Sequence, residues 1–228
     1  MTPILRSTIA ALIALLGHGM TAAPAGELTP AQVDAVARLR CNNLTYAGGK
    51  TSVCFADKFL TTAASRTGLN VHSSFSEVRL DTEALFDSPF TVISGEGTFR
   101  FSDTERQNLQ RYLRCGGFVL ASPGCSDSEW DACFRRELKA LLPEAQLVKI
   151  PMSHAIFSMV FKIPNLSLKT GGTTLVEGIE IDGRLVMVYS TEGLNDAGNA
   201  KGCCCCGGNQ ILQSEQVNVN ILLYALLH

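Results

Sequence analysis

The chain has 228 residues, is 46% hydrophobic and only 18% charged, and balances 19 basic against 21 acidic residues for a net charge of −2. This composition supports a sizeable core and excludes a disordered chain, and the near-neutral balance argues against a nucleic-acid partner, which would need a basic patch. Nine cysteines are many for this length but too few for a small disulfide-framework domain.

Residues 1–25 read as a Sec-type signal peptide. Arg6 supplies the n-region charge, Ile9 to Leu16 form a short apolar core, and Ala23-Pro24-Ala25 offers small residues for cleavage. The apolar core is too short for a retained membrane anchor. The mature chain, residues 26–228, is expected to be a single exported domain, periplasmic or extracellular in a bacterium, without a transmembrane span. All nine cysteines fall in that part, in a compartment that permits disulfides.

Thr29-Pro30 is a helix start, with Val33, Val36 and Leu39 at helical spacing. Arg40 to Tyr46 reads as a strand ending in Gly48-Gly49. Phe59, Leu60, Ala63 and Ala64 mark a helix stopped by Gly68. Asn70 to His72 suggests a second strand, and Leu80-Asp81 leads into a helical turn through Leu85 and Phe86. Phe90 to Ile93 is a continuous apolar run typical of a buried parallel strand. Ser102-Asp103-Thr104-Glu105 is a capping-box pattern opening a helix with Leu109, Tyr112 and Leu113 on one face. Gly117 to Ala121 is the next strand. Ser126 or Ser128 caps a helix carrying Trp130, Phe134, Leu138 and Leu141, which Pro143 ends. Leu147 to Ile150 and Leu185 to Tyr189 read as strands, and Ile156 to Glu180 as an inserted hairpin or extra strands. Val217, Ile221, Leu222 and Ala225 mark a final helix. Strands alternating with helices imply βαβ units and a mostly parallel sheet.

Several segments also carry a resemblance. They are "LTYAGG" (Leu44 to Gly49), "DSPFTVISGEGTF" (Asp87 to Phe99), "LRCGGFVLAS" (Leu113 to Ser122), "FRRELKALLPE" (Phe134 to Glu144), "MSHAIF" (Met152 to Phe157), "VEGIEIDGRLVMVYS" (Val176 to Ser190) and "VNVNILLYAL" (Val217 to Leu226). In this order the chain resembles bacterial domain-of-unknown-function family 4159, within the class I glutamine amidotransferase-like group of flavodoxin-like folds. The resemblance implies a three-layer α/β/α sandwich with a mostly parallel sheet, and no activity. Catalytic members of the wider group resemble one another in a Gly-x-Cys-x-Gly elbow. Here Ser122-Pro123-Gly124-Cys125-Ser126 departs from it, and His154 lacks the carboxylate that follows the group's histidine.

In such sheets ligands bind beyond the carboxyl ends of the strands. Those loops carry Glu96 between two glycines, Cys125, His154, and Cys203-Cys204-Cys205-Cys206 in a long loop after Tyr189. Four thiols suit copper or zinc as a cofactor metal, or disulfides to Cys41, Cys54, Cys115, Cys125 or one another. Glu96 is a candidate cofactor-binding carboxylate, as a general acid or a metal ligand. Two functions remain in view. One is an exported binding or structural protein with a metal-binding or disulfide-stapled cysteine loop, taking a small ligand or a protein partner. The other is a cysteine-dependent hydrolase or transferase with Cys125 as nucleophile and His154 as base. "GKT" at Gly49-Lys50-Thr51 lacks the upstream glycine of a phosphate loop, which excludes that motif.

Overall fold

The apolar runs at Phe90–Ile93 and Phe118–Ala121 pair in parallel near the middle of a seven-stranded sheet. A computed structural model of the chain describes residues 38–51, 54–201, 203 and 211–228. The expected signal peptide, the helix expected from Thr29, and Cys204 to Cys206 lie outside the described residues. The strands are β1 (Cys41–Thr45), β2 (Ser76–Arg79), β3 (Phe90–Ile93), β4 (Phe118–Ala121), β5 (Val148–Lys149), β6 (Leu166–Ser167), β7 (Thr173–Thr174), β8 (Glu177–Ile181) and β9 (Arg184–Tyr189). Among the described residues the helices are α1 (Lys58–Thr67), α2 (Asp103–Arg114), α3 (Ser128–Leu141) and α4 (Ser214–Leu227).

The sheet order is β2-β1-β3-β4-β9-β8-β5. Pairing is parallel from β2 through β9 and antiparallel at β9-β8 and β8-β5. The chain adds β2 on one side of β1 and then β3 on the other. That reversal makes a topological switch point between β1 and β3. Alternate residues of the central strands divide between two hydrophobic clusters. Phe90, Val92, Phe118 and Leu120 join Phe59 and Leu60 of α1 and Val217, Ile221 and Leu222 of α4. Ile93, Val119 and Ala121 join Leu109 and Leu113 of α2 and Trp130 and Phe134 of α3. The sheet is thus apolar on both sides, which is why its central strands show no polar alternation.

The second strand lies at Ser76–Arg79, and not at Asn70 to His72, where Val71 makes only an isolated bridge to Leu39. Ser76-Glu77-Val78-Arg79 has the polar, half-exposed pattern of an edge strand and carries little apolar signal. The cap of α3 is Asp127, whose carboxylate accepts from Trp130 N at 2.7 Å, in place of the neighbouring serines. The irregular stretch resolves into the β6-β7 hairpin followed by β8. The capping box at α2 forms as its sequence suggests. Ser102 Oγ accepts from Glu105 N at 3.2 Å, and Glu105 Oε2 accepts from Ser102 N at 2.7 Å. Glu105 Oε1 also accepts from Ala47 N at 2.6 Å, fastening the turn after β1 to the start of α2.

Helix α4 is buried on more than one side, Asn218 and Asn220 included. The segment at 155–163 covers its outer face. There Asn220 Oδ1 accepts from Val160 N at 2.9 Å and Phe161 N at 2.8 Å, and its Nδ2 donates to Phe161 O. Asn220 is thereby matched to backbone through both its oxygen and its nitrogen, whereas Asn218 donates through Nδ2 to Leu194 O and its Oδ1 has no partner among the described residues.

The carboxyl edge of the sheet as candidate binding site

Three adjacent strands each end in serine: Ser94 after β3, Ser122 after β4 and Ser190 after β9. The strand registers pair Ile93 with Ala121 and Ala121 with Tyr189, so the serines that follow stand side by side. All three are buried. The loop after β9 runs back across them. Ser190 Oγ accepts from Glu192 N at 3.3 Å, Ser122 Oγ from Leu194 N at 3.3 Å, and Ser94 Oγ from Asn195 Nδ2 at 2.9 Å. Asn195 O then accepts from Ala56 N at 2.8 Å, and Asn218 Nδ2 of α4 donates to Leu194 O at 2.7 Å. A disulfide between Cys54 and Cys203 joins the same two loops further along. The chain therefore crosses the ends of β9, β4 and β3 and closes over the switch point itself.

The other side of this edge is built on Tyr46. Its hydroxyl donates to Ser94 O at 3.0 Å and accepts from Trp130 Nε1. Burial, ahead of the neighbouring charge of Glu105, raises the phenol far above its ordinary range, so it stays protonated. Gly95 is required here. A Cβ at that position would lie 2.3 Å from Tyr46 Oη and 2.9 Å from Trp130 Nε1.

Glu96 is exposed, and Lys50 Nζ donates to its backbone carbonyl at 3.0 Å. Its Oε1 lies 3.2 Å from Cys125 Sγ. Cys125 is disulfide-bonded, so this sulfur has no proton to donate and the contact is between a carboxylate and a disulfide. Cys125 and Ser126 both adopt left-handed backbone, at φ 52° and 55°, in the turn before α3. His154 has different surroundings. Its Nδ1 accepts from Ile156 N at 3.3 Å, and its ring lies 5.2 Å from that of Tyr224. Tyr224 in turn sits 6.4 Å from Phe118, the first residue of β4, whereas Cys125 follows the last. The structure thus brings Glu96 and Cys125 together and sets His154 toward the opposite end of the sheet.

Cys203 is bonded to Cys54, and Cys41, Cys115 and Cys133 are free thiols. Burial pushes the Cys41 thiol up to about 12, which leaves it protonated and unreactive. Among the described residues no group of three or more His, Cys, Asp or Glu side chains gathers as a metal-ligand set. No described helix is long and apolar enough to cross a membrane.

An open cavity of about 600 Å³ lies further along the sheet, between the end of β9 and the β6-β7 hairpin. Lys149, Glu177, Thr174, Ser190 and Glu192 line it. A volume of this size suits a small ligand. The sequence pattern suggests an inserted hairpin within Ile156 to Glu180 but gives no sign of Lys149 or Glu192 as site residues. The repeated endings "VIS", "LAS" and "VYS" are a signal that could have located the edge, since each apolar run stops at a buried hydroxyl.

The sequence profile described as Domain of unknown function (DUF4159) matches residues 36–226. The chain belongs to this family. The match covers every strand above and the helices up to the penultimate residue of α4, including the closing loop and the β6-β7 hairpin. No curated protein matches the chain.

Proposed function

We propose that this DUF4159 chain is an exported, non-catalytic binding domain, with its cysteine-rich loop stapled by disulfides. In this reading the fold is a three-layer α/β/α sandwich, flavodoxin-like and akin to the class I glutamine amidotransferase-like group. Residues 1–25 are its Sec signal, and its partner is a small ligand or a protein. The observation that carries the reading is the loop laid across Ser190, Ser122 and Ser94. An enzyme of this architecture would hold substrate at the switch point. Here that space is filled by Leu194 and Asn195, which are 0% and 4% exposed. Three further points support it. Disulfides at Cys54–Cys203 and at Cys125 fit an oxidising compartment. A sulfur held in a disulfide is neither a nucleophile nor a thiolate ligand, which favours stapling over copper or zinc. His154 stands away from Cys125.

The test is a mass map of the protein recovered from the exported fraction without reductant or chelator, with elemental analysis of the same sample. Cleavage at residue 25, a Cys54–Cys203 peptide and no stoichiometric metal are expected. A chain retained in the cytoplasm with reduced cysteines, or one carrying stoichiometric copper or zinc, overturns the reading. Cys125→Ser is expected to leave ligand binding intact.

A further inference from the structure

Resting on the binding reading above, we infer that the 600 Å³ cavity beside β9 is a site for a small polyhydroxylated carboxylate, a sugar acid. One cation at its rim has no ion pair among the described residues. The β5-β8 register places Lys149 directly opposite Glu177, where side chains share a face and opposite charges would pair. Glu177 pairs elsewhere. Both its oxygens go to Arg135, from Nη1 at 3.3 Å and from Nη2, while Arg135 Nε donates to Asp131 at 2.8 Å. A guanidinium that meets a carboxylate with two donors outcompetes an ammonium. Asp131 is anchored by Tyr189, whose hydroxyl donates to it. Lys149 is thereby left facing the cavity without an ion pair among the described residues.

Glu192 supplies the second half of the site. Its Oε2 accepts from Thr174 Oγ1 of the hairpin at 3.0 Å and from Thr191 Oγ1 at 3.3 Å. Its Oε1 has no protein donor among the described residues. One carboxylate oxygen is thus fixed in place by two hydroxyls and the other is open to further donors. The cavity therefore presents an ammonium with no ion pair among the described residues as partner for an anion, an oriented acceptor for hydroxyls, and the Ser190 and Thr173 side chains beside them. A carboxylate flanked by hydroxyls matches this set. A neutral sugar leaves Lys149 unmatched, and a bare anion leaves Glu192 unmatched. The site gives the β6-β7 hairpin a role, since Thr174 is the contact that orients Glu192.

The test is a calorimetric titration of the oxidised mature protein with glucuronate, galacturonate and gluconate, with glucose and acetate as controls. Nuclear magnetic resonance analysis of each probe afterwards reads any turnover. Saturable binding of at least one sugar acid, at least tenfold tighter than glucose and acetate, is expected. Lys149→Met and Glu192→Gln, both outside the core, are expected to weaken it at least tenfold with unchanged melting temperature. Three results overturn the inference: no saturable binding of any sugar acid, acetate binding as tightly as the sugar acids, or full affinity in both variants. The two readings fail separately. A sugar acid bound and chemically changed keeps the site and removes the non-catalytic assignment. Absent binding in an exported, disulfide-bonded protein removes the site alone.

Discussion

Gly95 shows how little room one residue has at the carboxyl edge. The side chains its Cβ would strike belong to Tyr46 and Trp130, which are 1% and 0% exposed and bonded to each other. Neither has space to retreat, so Gly95→Ala is expected to cost about 1–3 kcal/mol as an overpacked core does. A lowered urea midpoint with an unchanged slope checks this. His154 is a residue-scale case of a different kind. Burial lowers its pKa below the ordinary 6.5, opposed by Glu180 and reinforced by His228. The unfolded chain then takes up a proton at this site before the folded one does. The His154 contribution is present above pH 6.5 and is lost as pH falls through the depressed folded value. Replacement by glutamine is expected to flatten the fall in stability below that pH, read from melting temperatures across a buffer series. Cys125 and His154 were visible in the sequence as reactive residue types. Their separation was not, because it depends on which end of β4 each approaches.

Helix α2 was legible at its start because its signals there are local. Ser102 and Glu105 are three residues apart, and the helix dictates their bonding. The sequence could not announce the second bond of Glu105, to Ala47 N, which depends on β1 lying beside that terminus. The two positions should therefore differ. Ser102→Ala loses a cap, at about 1 kcal/mol. Glu105→Ala leaves two backbone N–H groups without their acceptor, at about 1–3 kcal/mol for each that is buried. Chemical denaturation of both variants is expected to show the glutamate change costing at least twice the serine change; equal costs would mean that the Ala47 bond contributes nothing. Strand β2 and helix α4 were harder to read for opposite reasons. An edge strand needs few apolar residues, and a helix covered on several sides needs no polar stripe. Both departures from periodicity are set by neighbours remote in sequence.

At the scale of the molecule, the closing loop is held by three serines, two asparagines and a disulfide spanning 149 residues. A crosslink of that span removes much of the unfolded chain's freedom, and replacing Cys54 and Cys203 together by serine is expected to cost about 2–5 kcal/mol. The strand serines should still hold the loop in that variant. A lower melting temperature with an unchanged near-ultraviolet circular dichroism spectrum is the expected pair of readings; loss of the spectrum would assign the loop's position to the disulfide alone. The fold was largely readable because apolar runs, caps and glycine stops are written locally. The cavity was not, since Lys149, Glu192 and Thr174 meet only after β5, β9 and the hairpin have converged.

The Cys54–Cys203 bond also constrains biogenesis. Cys203 follows β9, so a chain emerging N-terminus first presents Cys54 long before its partner exists. Cys41 and Cys115 emerge earlier than Cys203 and remain free in the folded molecule. An oxidant acting in order of appearance would join Cys54 to one of them. Reaching the native pairing would then require that bond to be broken and remade by thiol–disulfide exchange, a slower route than forming the native bond directly.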